Sequence, residues 1–226
     1  MTVGPQIEFG SIIGSQRACP CVLVLDTSGS MQGAKIDELN SGLQILKSKL
    51  MEDTQARNSI EIAIVTFGHG GVQLVQDFVP VRDFQPPVLQ ANEATPMGEA
   101  MHVALNIVRH RKATHRQEGR DYYRPWIFLI TDGEPTDPQH VWQDAARASI
   151  EEQNKKGALV YCVAVGDDAN LEVLARFSNA KPQRLQGTEF RKLFQWLSSS
   201  VSTIARARAG EQTALPPVDG WARVEV

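Results

Sequence analysis

Four short apolar runs limit what this chain can fold into. "CVLVLD" (Cys21–Asp26), "IEIAIVTFG" (Ile60–Gly68), "WIFLITD" (Trp126–Asp132) and "ALVYCVAVG" (Ala158–Gly166) are rich in β-branched and aromatic residues. Each has the length of a strand and, with so few polar side chains, reads as one covered on both faces. Helical patterns fill the intervals. Ile36, Leu39, Leu43, Leu46 and Leu50 recur at three- and four-residue steps, one stripe of an amphipathic helix. Strands alternating with such helices require crossover connections. The expected class is α/β: a doubly wound, mostly parallel sheet with helices on both faces.

The remaining elements fit that frame. "VQLVQDFV" (Val72–Val79) follows Gly70-Gly71 and predicts a hairpin, hence one antiparallel edge strand. A helix is expected from near Pro96, with Met97, Met101, Leu105 and Val108 on its apolar side. Asp137-Pro138 suits the N-cap and first turn of a helix running to about Lys156, with Gly157 at its end. A short helix near Leu171–Phe177 and a short strand at "PQRLQG" follow. The last helix carries Phe190, Leu193, Phe194, Leu197, Val201 and Ile204 on one face.

The 226 residues, 42% hydrophobic, suit one large domain with extensions. The divisions expected are an N-terminal extension (1–17), the domain (18–208) and a C-terminal tail (209–226). Strand character is expected in "QIEFGSII" and around Trp221, Val224 and Val226. A net charge of −3 argues against nucleic acid as a partner. No apolar run approaches the roughly 20 residues needed to span a bilayer. The first residues lack the basic start and apolar core of a signal peptide. Three cysteines, Cys19, Cys21 and Cys162, favour reduced thiols and a cytoplasmic location.

In an open α/β sheet, ligands gather beyond the carboxyl ends of the strands, where strand order reverses. Asp26 ends one expected strand, and Ser28 and Ser30 follow it in "LVLDTSGSMQG"; Asp132 ends another in "ITDGEPTD"; Thr95 opens a helix in "ANEATPMGEA". A turn needs small polar residues, but not three side-chain oxygens on a period of two. A hard cation accounts for the choice. Mg²⁺ takes near-octahedral oxygen ligands at about 2.0–2.1 Å and keeps several waters, so few protein donors suffice. Mn²⁺ and Ca²⁺ accept the same kind of donor. The thiolate and imidazole ligands of zinc are missing from these loops. Where the two carboxylates do not both touch the ion, its charge stays incompletely offset, and it attracts a carboxylate from another molecule.

Together, Asp26-x-Ser28-x-Ser30, Thr95 and Asp132-Gly133 resemble the metal-ion-dependent adhesion site of von Willebrand factor A domains, and the likeness extends over Pro20 to Ala207. "TPMGEA" and "TDGEPTD" are most similar to the bacterial TerY-like branch, associated with tellurium-resistance operons and with neighbouring protein kinases and phosphatases. The resemblance implies a Rossmann-like fold of strand order 3-2-1-4-5-6 with Mg²⁺ at the top of the sheet. It implies Asp26, Ser28, Ser30 and Thr95 as near ligands, with Asp132 acting through water. Glu93-Ala94 departs from the glycines common in relatives and adds a carboxylate beside the site.

The function expected is a non-enzymatic, Mg²⁺-dependent protein-binding module. It would act as an adaptor for a partner presenting an acidic residue, by analogy a Ser/Thr kinase or phosphatase in a bacterial stress or defence system. A second surface is the basic connection Arg109–Arg124, where Arg109, Arg111, Lys112, Arg116, Arg120 and Arg124 could meet an acidic or phosphorylated segment. The rival is a phosphohydrolase or phosphotransferase using Asp26. Haloacid-dehalogenase-like enzymes put a second aspartate two residues on, where this chain has Ser28. No lysine-bearing P-loop and no nucleophile elbow occurs, and no general base stands near the oxygens. A co-chaperone subunit of an AAA+ ATPase is a third reading.

Overall fold

The computed structural model describes residues 17–206 other than 69, 93 and 168, together with 216, 218, 222 and 223. Expectations placed on "QIEFGSII", Glu93, Trp221, Val224 and Val226 lie outside the described residues. The strands are β1 (Cys19–Thr27), β2 (Ile60–Gly68), β3 (Gly71–Pro80), β4 (Trp126–Thr131), β5 (Leu159–Ala164), β6 (Gln183–Leu185) and β7 (Ala222–Arg223). The helices are α1 (Ala34–Glu52), α2 (Thr54–Ser59), α3 (Met97–Gln117), α4 (Gln139–Asn154), α5 (Leu171–Leu174) and α6 (Phe190–Arg206).

β1, β2 and β4 are buried at every position, as their uninterrupted apolar character requires. Alternate side chains divide between two cores. Leu23, Leu25, Ile62, Ile64, Phe128 and Ile130 meet α1 and α6 on one face. Val22, Val24, Val65, Phe67, Ile127 and Leu129 meet α3 and α4 on the other. Leu39, Leu43 and Leu46 of α1 are fully buried, so truncating one to alanine would cost about 2–5 kcal/mol.

The sheet runs β3-β2-β1-β4-β5-β6-β7, which contains the expected 3-2-1-4-5-6 order. β1 pairs in parallel with β2 on one side and β4 on the other. The chain therefore leaves β1 in both directions, and the switch point lies at the carboxyl ends of β1 and β4. β3 is antiparallel to β2 as predicted, with exposed or half-buried residues throughout.

Three local readings need correction, and one is extended. β7 pairs with β6 through Arg184–Arg223 and Leu185–Ala222, so the tail joins the sheet in the region where strand character was expected and adds a second antiparallel edge. α2 was not anticipated; it is too short for a periodic stripe, but Asp53 caps it by accepting from the Gln55 and Ala56 amides. The basic stretch expected to be a connection is helical as far as Gln117, because Val108, Lys112 and His115 extend the buried face of α3. Asp137 does not cap α4. Its two oxygens accept instead from the Gly98 and Glu99 amides at 2.9 and 3.2 Å, capping α3 from the loop that precedes α4.

Candidate metal centre

Asp26 leaves the end of β1 with its carboxylate buried and both oxygens engaged. Oδ1 accepts from the Ser28 amide at 2.8 Å, and Oδ2 accepts from the Thr131 hydroxyl. Burial pushes the Asp26 carboxyl up from its ordinary range; the Ser28 and Thr131 donors oppose that, and Asp132 adds to it. A second positive group at this spot would relieve the penalty. Beyond Asp26 the chain makes a single 3-10 turn, Gly29–Met31, which brings Ser30 back over Ser28.

Asp132, one residue past β4, meets this turn from the neighbouring strand. Its Oδ1 accepts from the Ser30 hydroxyl at 2.6 Å, and the Ser28 and Ser30 hydroxyls stand 3.1 Å apart. Thr95 closes the third side. Its amide donates to the Thr136 hydroxyl and its carbonyl accepts from the Thr136 amide, each at 2.9 Å. This double tie fixes the residues before α3 against the loop after β4. A Cβ added at Gly133 would stand 3.7 Å from the Thr95 hydroxyl oxygen, so Thr95 faces the Asp132-Gly133 turn.

The donor set fits a hard cation. Two oxygens in adjacent positions on an octahedral ion with bonds of about 2.0–2.1 Å stand about 2.9 Å apart. The Ser30–Asp132 and Ser28–Ser30 separations, 2.6 and 3.1 Å, bracket that value. Among the described residues no group of three or more His, Cys, Asp or Glu stands together. Hydroxyls must therefore supply part of any coordination here, which suits Mg²⁺ better than a soft ion.

Two residues of this rim were missed from sequence. Thr131 is the hydrogen-bond donor behind Asp26, hidden because a threonine in an apolar strand reads as β-propensity alone. Lys35 is the larger omission: its ammonium is paired with Asp132 Oδ2. One local signal existed. Lys35 is the second residue of α1, where a cation opposes the helix dipole and so needs another reason to be there.

Gly68 sets the spacing behind the rim. It ends β2 at φ 135°, and a Cβ there would lie 2.2 Å from the Thr27 carbonyl carbon. Only glycine lets β2 close against the peptide that launches the Ser28–Ser30 turn.

The basic residues do not join this site. Glu61, near the opposite end of β2, collects two of them together with His115. Arg111 grips it with two bonds at 2.8 and 2.9 Å, and Arg120 and His115 reach it at 2.7 and 2.9 Å. Lys112 and Arg109 pair with Glu152 at 2.7 and 3.2 Å, and Arg124 donates to the Gln153 carbonyl at 2.6 Å. Arg116 is exposed, with its guanidinium 6.0 Å from the Tyr122 ring centre. Most of the charge that looked available for a partner is spent internally.

A family model described as von Willebrand factor type A domain matches residues 21–195. Human inter-alpha-trypsin inhibitor heavy chain H6 is 26% identical over 174 residues, spanning 70% of this chain and 12% of that protein. The vWF domain of the type V pili tip protein Mfa5 from Porphyromonas gingivalis is similar in fold, with a TM-score of 0.61 at 12% identity, covering 88% of this chain and 99% of that one. Proximal thread matrix protein 1 from the mussel byssus, solved with a zinc-occupied MIDAS motif, gives 0.55 at 18% identity, covering 83% and 48%. With the family matched over most of its length and the strand order that goes with it, the chain belongs to the von Willebrand factor type A domain family.

Proposed function

We propose that this protein is a divalent-cation-dependent protein-binding module, with Asp26, Ser28, Ser30 and Thr95 as the near ligands and Asp132 acting through water. The observation that carries the proposal is the meeting of Ser28, Ser30 and Asp132 oxygens from two loops at the switch point, 2.6 and 3.1 Å apart, with Thr95 of a third loop facing the Asp132-Gly133 turn. When bound, the ion would supply an open coordination position for a partner's carboxylate. Lys35 sharpens this. Its ammonium offsets one of the two carboxylates, so a divalent ion would leave the rim net positive and attractive to an acidic side chain. The zinc-occupied motif of the mussel protein supports a divalent ion at such a site.

Binding is favoured over catalysis by what the sequence places around the oxygens. Ser28 stands two residues after Asp26, where a haloacid-dehalogenase-like enzyme would carry its acid/base aspartate. An adaptor role beside a kinase or phosphatase in a bacterial stress system rests on the likeness of "TPMGEA" and "TDGEPTD" to the TerY-like branch. Cytoplasmic location is supported by three free, buried thiols. No helix among the described residues is long and apolar enough to cross a membrane.

The test pairs a calorimetric titration with a pull-down. Wild type is expected to bind Mg²⁺ and, in Mg²⁺ but not in EDTA, to retain a partner that Asp26→Ala loses. Identical partners in every condition would move recognition to another surface and overturn the proposal.

A further inference from the structure

Three large apolar side chains are exposed among the described residues: Leu74, Val75 and Val88. Two of them, Val75 and Val88, line one cleft of about 190 Å³, together with Pro87, Gln90, Thr66 and Thr27. Thr27 lies between Asp26 and Ser28 in the chain, so the cleft opens beside the proposed metal rim. Leu74 alternates to the other face of β3, as strand geometry requires. The cleft is smaller than the roughly 300–1,000 Å³ typical of small-molecule pockets, and suits one side chain of a larger ligand.

The outer wall is held in place. Asn40 of α1 exchanges two hydrogen bonds with Leu89, donating to its carbonyl at 2.9 Å and accepting from its amide at 2.8 Å. Gln32 donates to the Ala91 carbonyl at 3.2 Å, and the Asn92 amide donates to the Thr27 carbonyl at 2.9 Å. These bonds tie the 87–92 segment both to α1 and to the loop carrying Ser28. A cleft built this way loses little entropy when filled. Exposed aliphatic side chains gathered beside a charged rim are an uneconomical surface unless something covers them.

We infer that this cleft is the second half of the partner site: it takes an aliphatic side chain of the protein segment whose carboxylate meets the ion. The inference rests on the metal reading above. The partner is thereby specified as an acidic residue with a leucine-, isoleucine- or valine-like neighbour. The positive rim selects the first and the Val75–Val88 cleft the second. Gln90, exposed on the cleft lining, carries an amide that can meet the backbone of the incoming segment, whereas the Gln73 NH2 is bonded to the Gly70 carbonyl.

The probe is a set of synthetic alanine-based peptides bearing one Asp, with Leu placed at each nearby position, titrated in Mg²⁺ and in EDTA. The best Leu peptide is expected to bind wild type about tenfold more tightly than its Ala counterpart, from burial of one side chain. Val75→Thr with Val88→Ser should erase that tenfold while leaving Asp- and Mg²⁺-dependent binding. Both positions are exposed, so melting temperature should hold, and Leu74→Thr on the opposite face should change nothing. Asp- and Mg²⁺-dependent binding indifferent to Leu and to the double substitution would overturn this inference and spare the metal reading. No Mg²⁺-dependent binding of any Asp peptide would overturn both. Self-association of wild type that the double substitution abolishes would make the occupant a second copy of the chain, and overturn the assignment to a partner.

Discussion

The ammonium of Lys35 and the carboxylate of Asp132 form an ion pair across 97 residues of sequence, with the lysine side chain 30% exposed and the aspartate 1%. A tethered cation thus lies against one of the groups that a free cation would approach. Its two effects have opposite signs. It opposes Mg²⁺ entry, and it leaves the loaded rim more positive toward an acidic partner. Lys35→Ala is therefore expected to raise Mg²⁺ affinity about 3- to 10-fold, on the order of 1 kcal/mol for charges several ångströms apart that water screens, while weakening the acidic peptide by a similar factor. Mn²⁺ titration by electron paramagnetic resonance reads the first effect, and peptide titration at saturating Mg²⁺ reads the second. Movement of both in the same direction would refute this account of the lysine.

Asp26→Asn separates the metal function from the fold. Asparagine can keep its oxygen toward the Ser28 amide and turn its NH2 toward the Thr131 hydroxyl, so one bond survives and the other is replaced by a bond of opposite direction. It also removes a carboxylate that burial penalises. The variant should melt at or above the wild-type temperature in EDTA, yet lose the Mg²⁺-induced rise. Calorimetric melting with and without Mg²⁺ decides it.

Gly68→Ala should damage both. The added methyl meets backbone rather than a movable side chain, and φ 135° is strained for alanine. A loss of about 2–3 kcal/mol is expected, with weaker Mg²⁺ binding because the displaced atoms belong to the Thr27–Ser28 peptide. Unchanged metal affinity in a folded Gly68→Ala protein would show that the turn is positioned from elsewhere.

Glu61 gives the fold an acid-sensitive point. Burial raises its pKa, but the Arg111 fork and then His115 outweigh that and hold it below the ordinary 4.5. Arg120 also faces it. For a depressed carboxylate, the stability contributed is present above the unfolded pKa and lost as pH falls through the folded one. Glu61→Gln should cost about 3 kcal/mol near neutrality. The gap to wild type should narrow steadily below pH 4.5. Denaturant unfolding across that range measures it, and a gap constant with pH would contradict the assignment.

What the sequence made legible follows from range. β1, β2, β4 and β5 announce themselves because a strand covered on both faces needs few polar residues, and two of the proposed donors, Asp26 and Asp132, stand at the ends of such strands. The pairings between distant segments left no local trace. Asp137 stood one residue before a helix and looked like its cap, yet its oxygens serve α3. Arg111 and Arg120 looked like surface charge because Glu61, which neutralises them, lies 50 and 59 residues earlier inside an apolar strand. Lys35 was overlooked for the same reason. Only the sheet brings such groups together.

The bond from Thr131 to Asp26 spans 105 residues and that from Ser30 to Asp132 spans 102. A rim assembled from such contacts exists only after the central strands have paired, because each contact must first overcome the entropy of closing a long loop. An ion held there arrives late in folding. Interactions absent from the transition state leave the folding rate unchanged and slow unfolding. Occupancy of this rim therefore governs how long the folded chain lasts, and leaves the time it takes to form unaltered.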